Sequence, residues 1–290
     1  MLVTGAAGRI GRAVLALLDS RGIGATALVL DDPGDLAASR VVVGSAGDPS
    51  VVADALAGVD AVVHLAARPA PTSGTPFEVF AENTRATFTV LECAGAAGVR
   101  RAVIASSYGA NGLPWAREFL PPAYLPVDEA LPSPVEDPYG LSKQTDELTA
   151  AMMARRHGLT VVAVRYPFVG GVEERLAAHA RAVTDDPARG VRELWSYLDV
   201  RDAALVALSA LGVDDGRAHV VLVAAPETLV PVPTSELLRR YLPDVEVRRP
   251  LPGRSVPVDT SAARRLFGFV AQFPFEARYP FEDGSGPAAG

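Results

Sequence analysis

Tyr139 and Lys143 stand four residues apart in the stretch DPYGLSKQTDE, and a serine pair, Ser106 and Ser107, closes an apolar run upstream of them. On a helix that spacing sends both side chains off one face, where both can meet one ligand. A phenol with a reference pKa of ~10 is a poor base at neutral pH, and an ammonium one turn away favours the phenolate. A strand-end hydroxyl can hold the oxygen of an alcohol or carbonyl while the phenol exchanges its proton, which is general acid–base chemistry at an oxidisable carbon. Lys143 is the only lysine among 27 basic side chains. Lysine is a compact, rotatable point charge, and an arginine fork does not replace it. The plain alternative is a surface lysine beside an unrelated tyrosine. With 7 tyrosines in 290 residues that coincidence has a chance of 7/290, about 2%, and it leaves the serine pair unexplained.

A second cluster lies at the start of the chain. GAAGRIG sets Gly5, Gly8 and Gly11 around Arg9 and Ile10, directly after a short apolar run and opening a helical pattern. Glycines serve there because the turn is tight, a pyrophosphate needs close backbone approach, and the helix N-terminus offers unpaired N–H groups to the anion. A glycine triplet alone is weak evidence; the strand–glycine–helix context strengthens it. Asp31 follows Gly11 by 20 residues, where a carboxylate accepts from ribose hydroxyls and repels a 2′-phosphate, favouring NAD. Asp31 and Asp32 also read as the opening of a turn before Pro33. Arg9 and Arg12 keep NADP open as cofactor. A nicotinamide beside the phenol would carry the hydride.

Elements must bring the two clusters together. Short β-rich runs alternate with longer helical patterns, the signal for a parallel sheet. Strands are expected at 1–4, 27–30, 41–43, 61–67, 99–107, 159–167 and 219–225. Helices are expected at 9–21, about 50–57, 77–97, 138–157, near 172–183, from about 200 to 211, 233–242 and 260–268. Asp137 is a good N-cap, Pro138 suits the first helical position, and Gly158 ends the helix. Between 108 and 137 six prolines leave an irregular stretch, long enough to be functional. The expected fold class is α/β: a Rossmann-type doubly wound parallel sheet over 1–170, rejoined by 198–225, with a small C-terminal substrate lobe from 171–197 and 226–283. The last residues, 284–290, read as a flexible tail.

Composition excludes other classes. The formal charge is -7 and no run of basic residues exceeds two, so no footprint for nucleic acid or an anionic membrane is present. No apolar run approaches the ~18 residues of a membrane span. Cys93 is the single cysteine and the four histidines are scattered, so no metal site is expected and a reducing cytoplasmic setting is. A serine hydrolase would want GxSxG, which the serine pair lacks.

Taken in order, VTGAAGRIG, VDAVVHLAA, VRRAVIASS, DPYGLSK, VAVRYP, LDVRDAA and DTSAARRLFGF resemble the extended short-chain dehydrogenase/reductases, the NAD-dependent epimerase/dehydratase family, over nearly the whole chain. The resemblance implies an NAD(P)-dependent oxidoreductase or epimerase acting at a secondary alcohol or sugar carbon, with a catalytic set of Ser107, Tyr139 and Lys143 and with Ser106 nearer the cofactor. It puts Asp48 beside the adenine, Leu65, Ala66 and Ala67 along pyrophosphate and ribose, Asn83 near the fourth-strand loop, and Tyr166 and Phe168 toward the nicotinamide. His64 is read as structural. Asn111-Gly112 replaces the Tyr-Gly of many sugar-nucleotide epimerases, Tyr108-Gly109 replaces the Asp-Glu of dehydratases, and Phe168 replaces an asparagine. These departures favour a small substrate. The ASS…G and LWSYLDVRD segments are similar to uronate dehydrogenases, whose usual Asn-His is here Tyr108-Gly109. Tyr108, Asn111 and Arg175 are the substrate candidates, Arg175 as a carboxylate clamp, although a surface arginine is the plainer reading. The family also implies a homodimer built on the helices at 77–97 and 138–157. The competing class is a non-catalytic NAD(P) sensor on the same fold.

Overall fold

The computed structural model describes residues 1–275. The expected tail at 284–290 and the end of the lobe expected to reach 283 lie outside the described residues. The chain runs through β1 (Leu2–Thr4), α1 (Arg9–Ser20), β2 (Thr26–Val29), β3 (Arg40–Val43), α2 (Pro49–Ala55), β4 (Ala61–His64), α3 (Pro76–Ala96) and β5 (Arg101–Ser107). It continues through β6 (Tyr124–Leu125), α4 (Pro138–His157), β7 (Thr160–Tyr166), β8 (Phe168–Gly170), α5 (Ala177–Asp185), β9 (Tyr197–Asp199), α6 (Val200–Ala210), β10 (Ala218–Leu222), α7 (Thr234–Tyr241), β11 (Glu246–Val247) and α8 (Ser261–Phe267).

Seven strands form one parallel sheet in the order β10-β7-β5-β4-β1-β2-β3. The order reverses between β1 and β4, and in open parallel sheets ligands bind beyond the strand C-termini at such a switch point. The pleat divides the core between the two faces. Val3, Val63, Val103 and Val162 pack with Val14, Leu15, Leu18, Ala203 and Val206 of α1 and α6. Their neighbours Leu2, Val62, Ile104 and Val161 pack with Val90, Leu91 and Met153 of α3 and α4. Successive residues pointing to opposite sides, both covered, explain why these strands read as continuous apolar runs.

Local signals set the helices that matter for the site. Asp137 Oδ1 accepts from the Gly140 N–H at 2.8 Å, Pro138 opens α4, and Gly158 closes it in the left-handed region at φ +67°. For α3, Thr75 and Glu78 form a reciprocal capping box before Pro76.

A further apolar cluster joins Tyr124, Leu125, Val127 and Leu131 of the long connection to Leu176, Val183, Trp195, Tyr197, Leu237 and Val256. Three features here differ from expectation. The irregular stretch contains a 3-10 turn over Tyr108–Asn111. The helix expected near 172–183 is a π turn over Val172–Leu176 continuing into α5. Two small parallel pairs, β6 with β11 and β8 with β9, had no sequence signal, because strands of two or three residues are too short to show a period.

Candidate active site

β5 ends at Ser107, α4 begins at Pro138, and the 3-10 turn that follows β5 is the floor between them. Glycine makes this approach possible. A Cβ on Gly140 would lie 2.8 Å from the Gly109 carbonyl oxygen, so a side chain there would push the first turn of α4 off the serine turn. The position a Cβ would take on Gly109 is 3.2 Å from Ser107 Oγ and 3.3 Å from the Tyr139 ring, which brings hydroxyl and phenol around one point. Ser107 Oγ accepts from the Gly109 N–H at 2.9 Å, which fixes its rotamer and leaves its own proton free to donate. The Lys143 Nζ lies 5.8 Å from the centroid of the Tyr139 ring. Serine, tyrosine and lysine therefore converge at the C-terminal edge of the sheet.

Beneath them the polar groups form two buried threads. In the first, Lys143 Nζ donates to the Ala105 carbonyl at 2.9 Å and pairs with Asp146 Oδ2 at 3.2 Å. Burial pushes the Asp146 carboxyl up, against the opposing charge of Lys143 and a bond from Thr87. His64 sits between Thr4 Oγ1 at 2.7 Å and Thr87 Oγ1 at 3.2 Å. Burial, then the positive charge of Lys143, lowers its pKa to about 3, so it is a neutral structural imidazole as read from the sequence. In the second thread Ser106 Oγ donates to Glu147 at 2.6 Å, and Arg165 grips both oxygens of that carboxylate at 2.8 Å while donating to Asn111 Oδ1 at 2.8 Å.

The second thread gives Ser106 and Asn111, and the core gives Tyr166, partners other than those expected. Ser106 was expected nearer the cofactor, but the pleat turns its hydroxyl away from that of Ser107 and into the Glu147 carboxylate. Asn111 was a substrate candidate, yet it is wholly buried with its carbonyl oxygen taken by Arg165. Tyr166 was expected at the nicotinamide, but its ring is in the core and its hydroxyl donates to the Ala203 carbonyl at 3.1 Å, so that hydroxyl is unavailable to a ligand.

At the switch point the glycine turn has the shape that a phosphate cradle requires. Gly5 has φ +62°, and a Cβ there would come within 2.7 Å of Ala66 N; a Cβ on Gly11 would meet the Gly5 carbonyl oxygen at 2.4 Å. Gly8 caps α1 in an extended conformation with no side-chain bond, leaving the N–H groups of Arg9 and Ile10 at the head of a twelve-residue helix. Leu65 and Ala66 flank this turn, their N–H groups directed at Thr4 Oγ1 at 3.2 and 3.3 Å, and Ala67 is exposed just beyond. These residues fit a dinucleotide pyrophosphate. Asn83 ties the loop after β4 to α4, accepting from Arg68 N–H at 2.7 Å and donating to Ser142 Oγ at 3.0 Å. Asp31 is exposed on the bend after β2, while its neighbour Asp32 accepts from Gly34 N–H and takes the turn role. Asp48 caps α2, accepting from Ser50 N–H at 2.8 Å, which accounts for it structurally.

On the other side of Ser107, Phe168 stacks with His179 at 3.9 Å between centroids, and the Arg175 guanidinium lies over the Phe168 ring at 3.9 Å. Among the described residues the Arg175 guanidinium has no hydrogen-bond or ion-pair partner. Burial, then the charge of Arg9, lowers its pKa. Glu193 is raised by burial against the pull of Arg175, and Tyr108 is raised far above the usual phenol range by burial and then by Glu193. Among the described residues Tyr108 Oη is buried without a partner. Arg9 reaches across from α1 to Glu174, with Nε donating to both carboxylate oxygens at 2.7 Å. Asp146, the Glu147–Arg165 pair, Glu174, His179 and Glu193 were not foreseen. Only Asp146 left a trace, being three residues beyond Lys143 on the same helical face.

Among the described residues no cluster of histidine, cysteine or acidic side chains could hold a metal, and no helix is long and apolar enough to cross a membrane. A solved short-chain dehydrogenase/reductase superfamily protein from Agrobacterium tumefaciens with bound NAD has a TM-score of 0.68 at 27% identity, covering 94% of this chain and 92% of that one. A curated NAD-dependent glucose-6-phosphate dehydrogenase from Haloferax volcanii is 31% identical over 181 residues, 57% of this chain and 66% of that protein. An L-arabinose 1-dehydrogenase (NAD(P)(+)) from the same organism is 30% identical over 209 residues, 67% of this chain and 75% of that protein. The model of the NAD dependent epimerase/dehydratase family matches residues 1–224. Since that match takes in the glycine turn, the serine and tyrosine–lysine positions and every strand of the large sheet, this chain belongs to the NAD dependent epimerase/dehydratase family of enzymes.

Proposed function

We propose that this chain is an NAD-dependent oxidoreductase acting at a secondary alcohol or carbonyl carbon of a small sugar that carries a negative charge, such as a sugar acid. The observation that carries it is the approach of Ser107 Oγ and the Tyr139 ring to one point beside Gly109, with the Lys143 ammonium 5.8 Å from that ring. Ser107 donates to the reacting oxygen, Tyr139 takes or returns its proton, and Lys143 favours the phenolate. NAD, when bound along Gly5, Gly8 and Gly11, supplies the hydride acceptor. Asp31 at the end of β2 supports NAD over NADP. So do Arg9 and Arg12, whose guanidinium groups are engaged by Glu174 and Asp35.

The negative charge of the substrate is inferred from Arg175. An arginine held flat on an aromatic ring, with Glu174 and Glu193 acting on it only through space and no direct ion pair among the described residues, is suited to bidentate recognition of a carboxylate or phosphate. Residues around α5, β9, α7 and the long connection form the substrate lobe in this reading, and the sheet with its helices forms the nucleotide domain. A homodimer through the outer faces of α3 and α4 and a cytoplasmic setting complete it. A non-catalytic sensor would have no use for a phenol, an ammonium and a hydroxyl gathered beside the cradle.

The test is an absorbance screen at 340 nm with NAD and NADP separately, against sugar acids, sugar phosphates, neutral aldoses and small alcohols. Turnover with NAD and an anionic sugar is expected. Turnover restricted to neutral alcohols would remove the Arg175 assignment, and dinucleotide binding without turnover of any substrate would favour the sensor.

A further inference from the structure

Lys143 has a second neighbour besides Tyr139. Its Nζ is buried, with 3% of the residue exposed, and Asp146 beside it is 1% exposed. An ammonium has three N–H bonds. Two go to the Ala105 carbonyl and Asp146 Oδ2, leaving one for the phenol or a ligand. Tyr139, Lys143 and Asp146 follow one another along a single stripe of α4, four and then three residues apart. A buried ammonium without a counter-charge gives up its proton or its place, because desolvation penalises the charged form.

Among the described residues the rest of the surroundings supply no other uncommitted counter-charge. Thr87 of α3 hydrogen-bonds Asp146, and His64 of β4, held between Thr4 and Thr87, feels the Lys143 charge while burial keeps its imidazole neutral. Glu147, next along α4, is committed to Arg165 of β7 and Ser106 of β5. Asp137 caps the start of the helix.

We propose that Asp146 is a positioning residue whose carboxylate holds the Lys143 ammonium charged and in place for Tyr139, so that the working unit is tyrosine, lysine and aspartate. This rests on the acid–base role proposed above for Tyr139.

The single lysine makes the idea directly measurable, since protein labelled with isotopic lysine yields one side-chain signal. Asp146→Asn keeps the size and removes the charge; Asp146→Glu keeps the charge and adds a methylene. In D146N, kcat is expected to fall about tenfold or more while KM for NAD stays within a few fold. The lysine signal should move in D146N relative to the parent, because the ammonium loses its charged partner at 3.2 Å. D146E should retain more activity than D146N. A packing role predicts the reverse order, because asparagine fits the space and glutamate does not. D146N with the parent's rate–pH profile and lysine signal would overturn the proposal, as would D146E being the more damaged variant. A reading that needs no variant covers the case in which D146N does not fold. In the parent, the ammonium protons should exchange slowly with water, and rapid exchange overturns the idea. Failure of the oxidoreductase reading looks different: the parent gives no change at 340 nm while its lysine signal behaves as expected.

Discussion

A phenol that exchanges a proton is tested by removing its oxygen and nothing else. Tyr139→Phe should lower kcat by about 100-fold or more, the usual worth of a positioned acid–base group, while NAD titrated by fluorescence binds as in the parent. A Y139F protein turning over at the parent rate would remove Tyr139 from the chemistry. Arg175 is argued from its stacking on Phe168 and the absence of a direct ion pair among the described residues, so Arg175→Met should raise KM for an anionic sugar by about 10- to 100-fold, the loss of a charge-assisted bond. Its kcat should change far less, because the interaction is made before and during the reaction alike. The serine pair shows how far residue types carry an argument. Adjacent hydroxyls at a strand end look equivalent in sequence, yet the pleat turns one to the cleft and one to Glu147.

α4 does three jobs at once, and its composition records each. Asp137 and Pro138 start it, Gly140 lets it press against the serine turn, and Tyr139, Lys143 and Asp146 share its inner stripe. Its neighbour α3 supplies Thr87 and Asn83, which link it to β4 through His64 and the loop at Arg68. His64 makes this junction pH-sensitive with a definite sign. The folded pKa is lowered to about 3 from 6.5, so the unfolded chain binds a proton below pH 6.5 that the folded one refuses. Stability from this group is present above pH 6.5 and is lost as pH falls toward 3. The loss should reach about 2 kcal/mol between pH 7 and pH 5. Denaturant melts of His64→Gln at those two values should show a smaller drop than the parent; an equal drop would mean the imidazole is free to charge in place.

At the scale of the whole molecule, the outer faces of α3 and α4 carry apolar side chains that the other described residues do not cover. Phe88 is 48% and Leu148 72% exposed, with Phe77 and Leu141 also open. These support the proposed two-fold pairing. The parent should scatter light as a particle of twice the 30.3 kDa chain mass, and Leu148→Glu should shift it toward one chain. A parent that stays at one chain mass at micromolar concentration would end the dimer proposal. The bounds of α4, the glycine turn and the succession of strands and helices along the chain were legible from residue order alone, because helix caps, periodicity and glycine stereochemistry act between residues close in the chain. Which of those residues face each other was not. Arg9 meets Glu174 across 165 positions, and Asn111 and Ser106 turn inward to Arg165 and Glu147. Whether a polar side chain becomes a ligand or a strut depends on which distant segment packs over it and on the cost of leaving it buried and unpaired, and only the tertiary structure settles that.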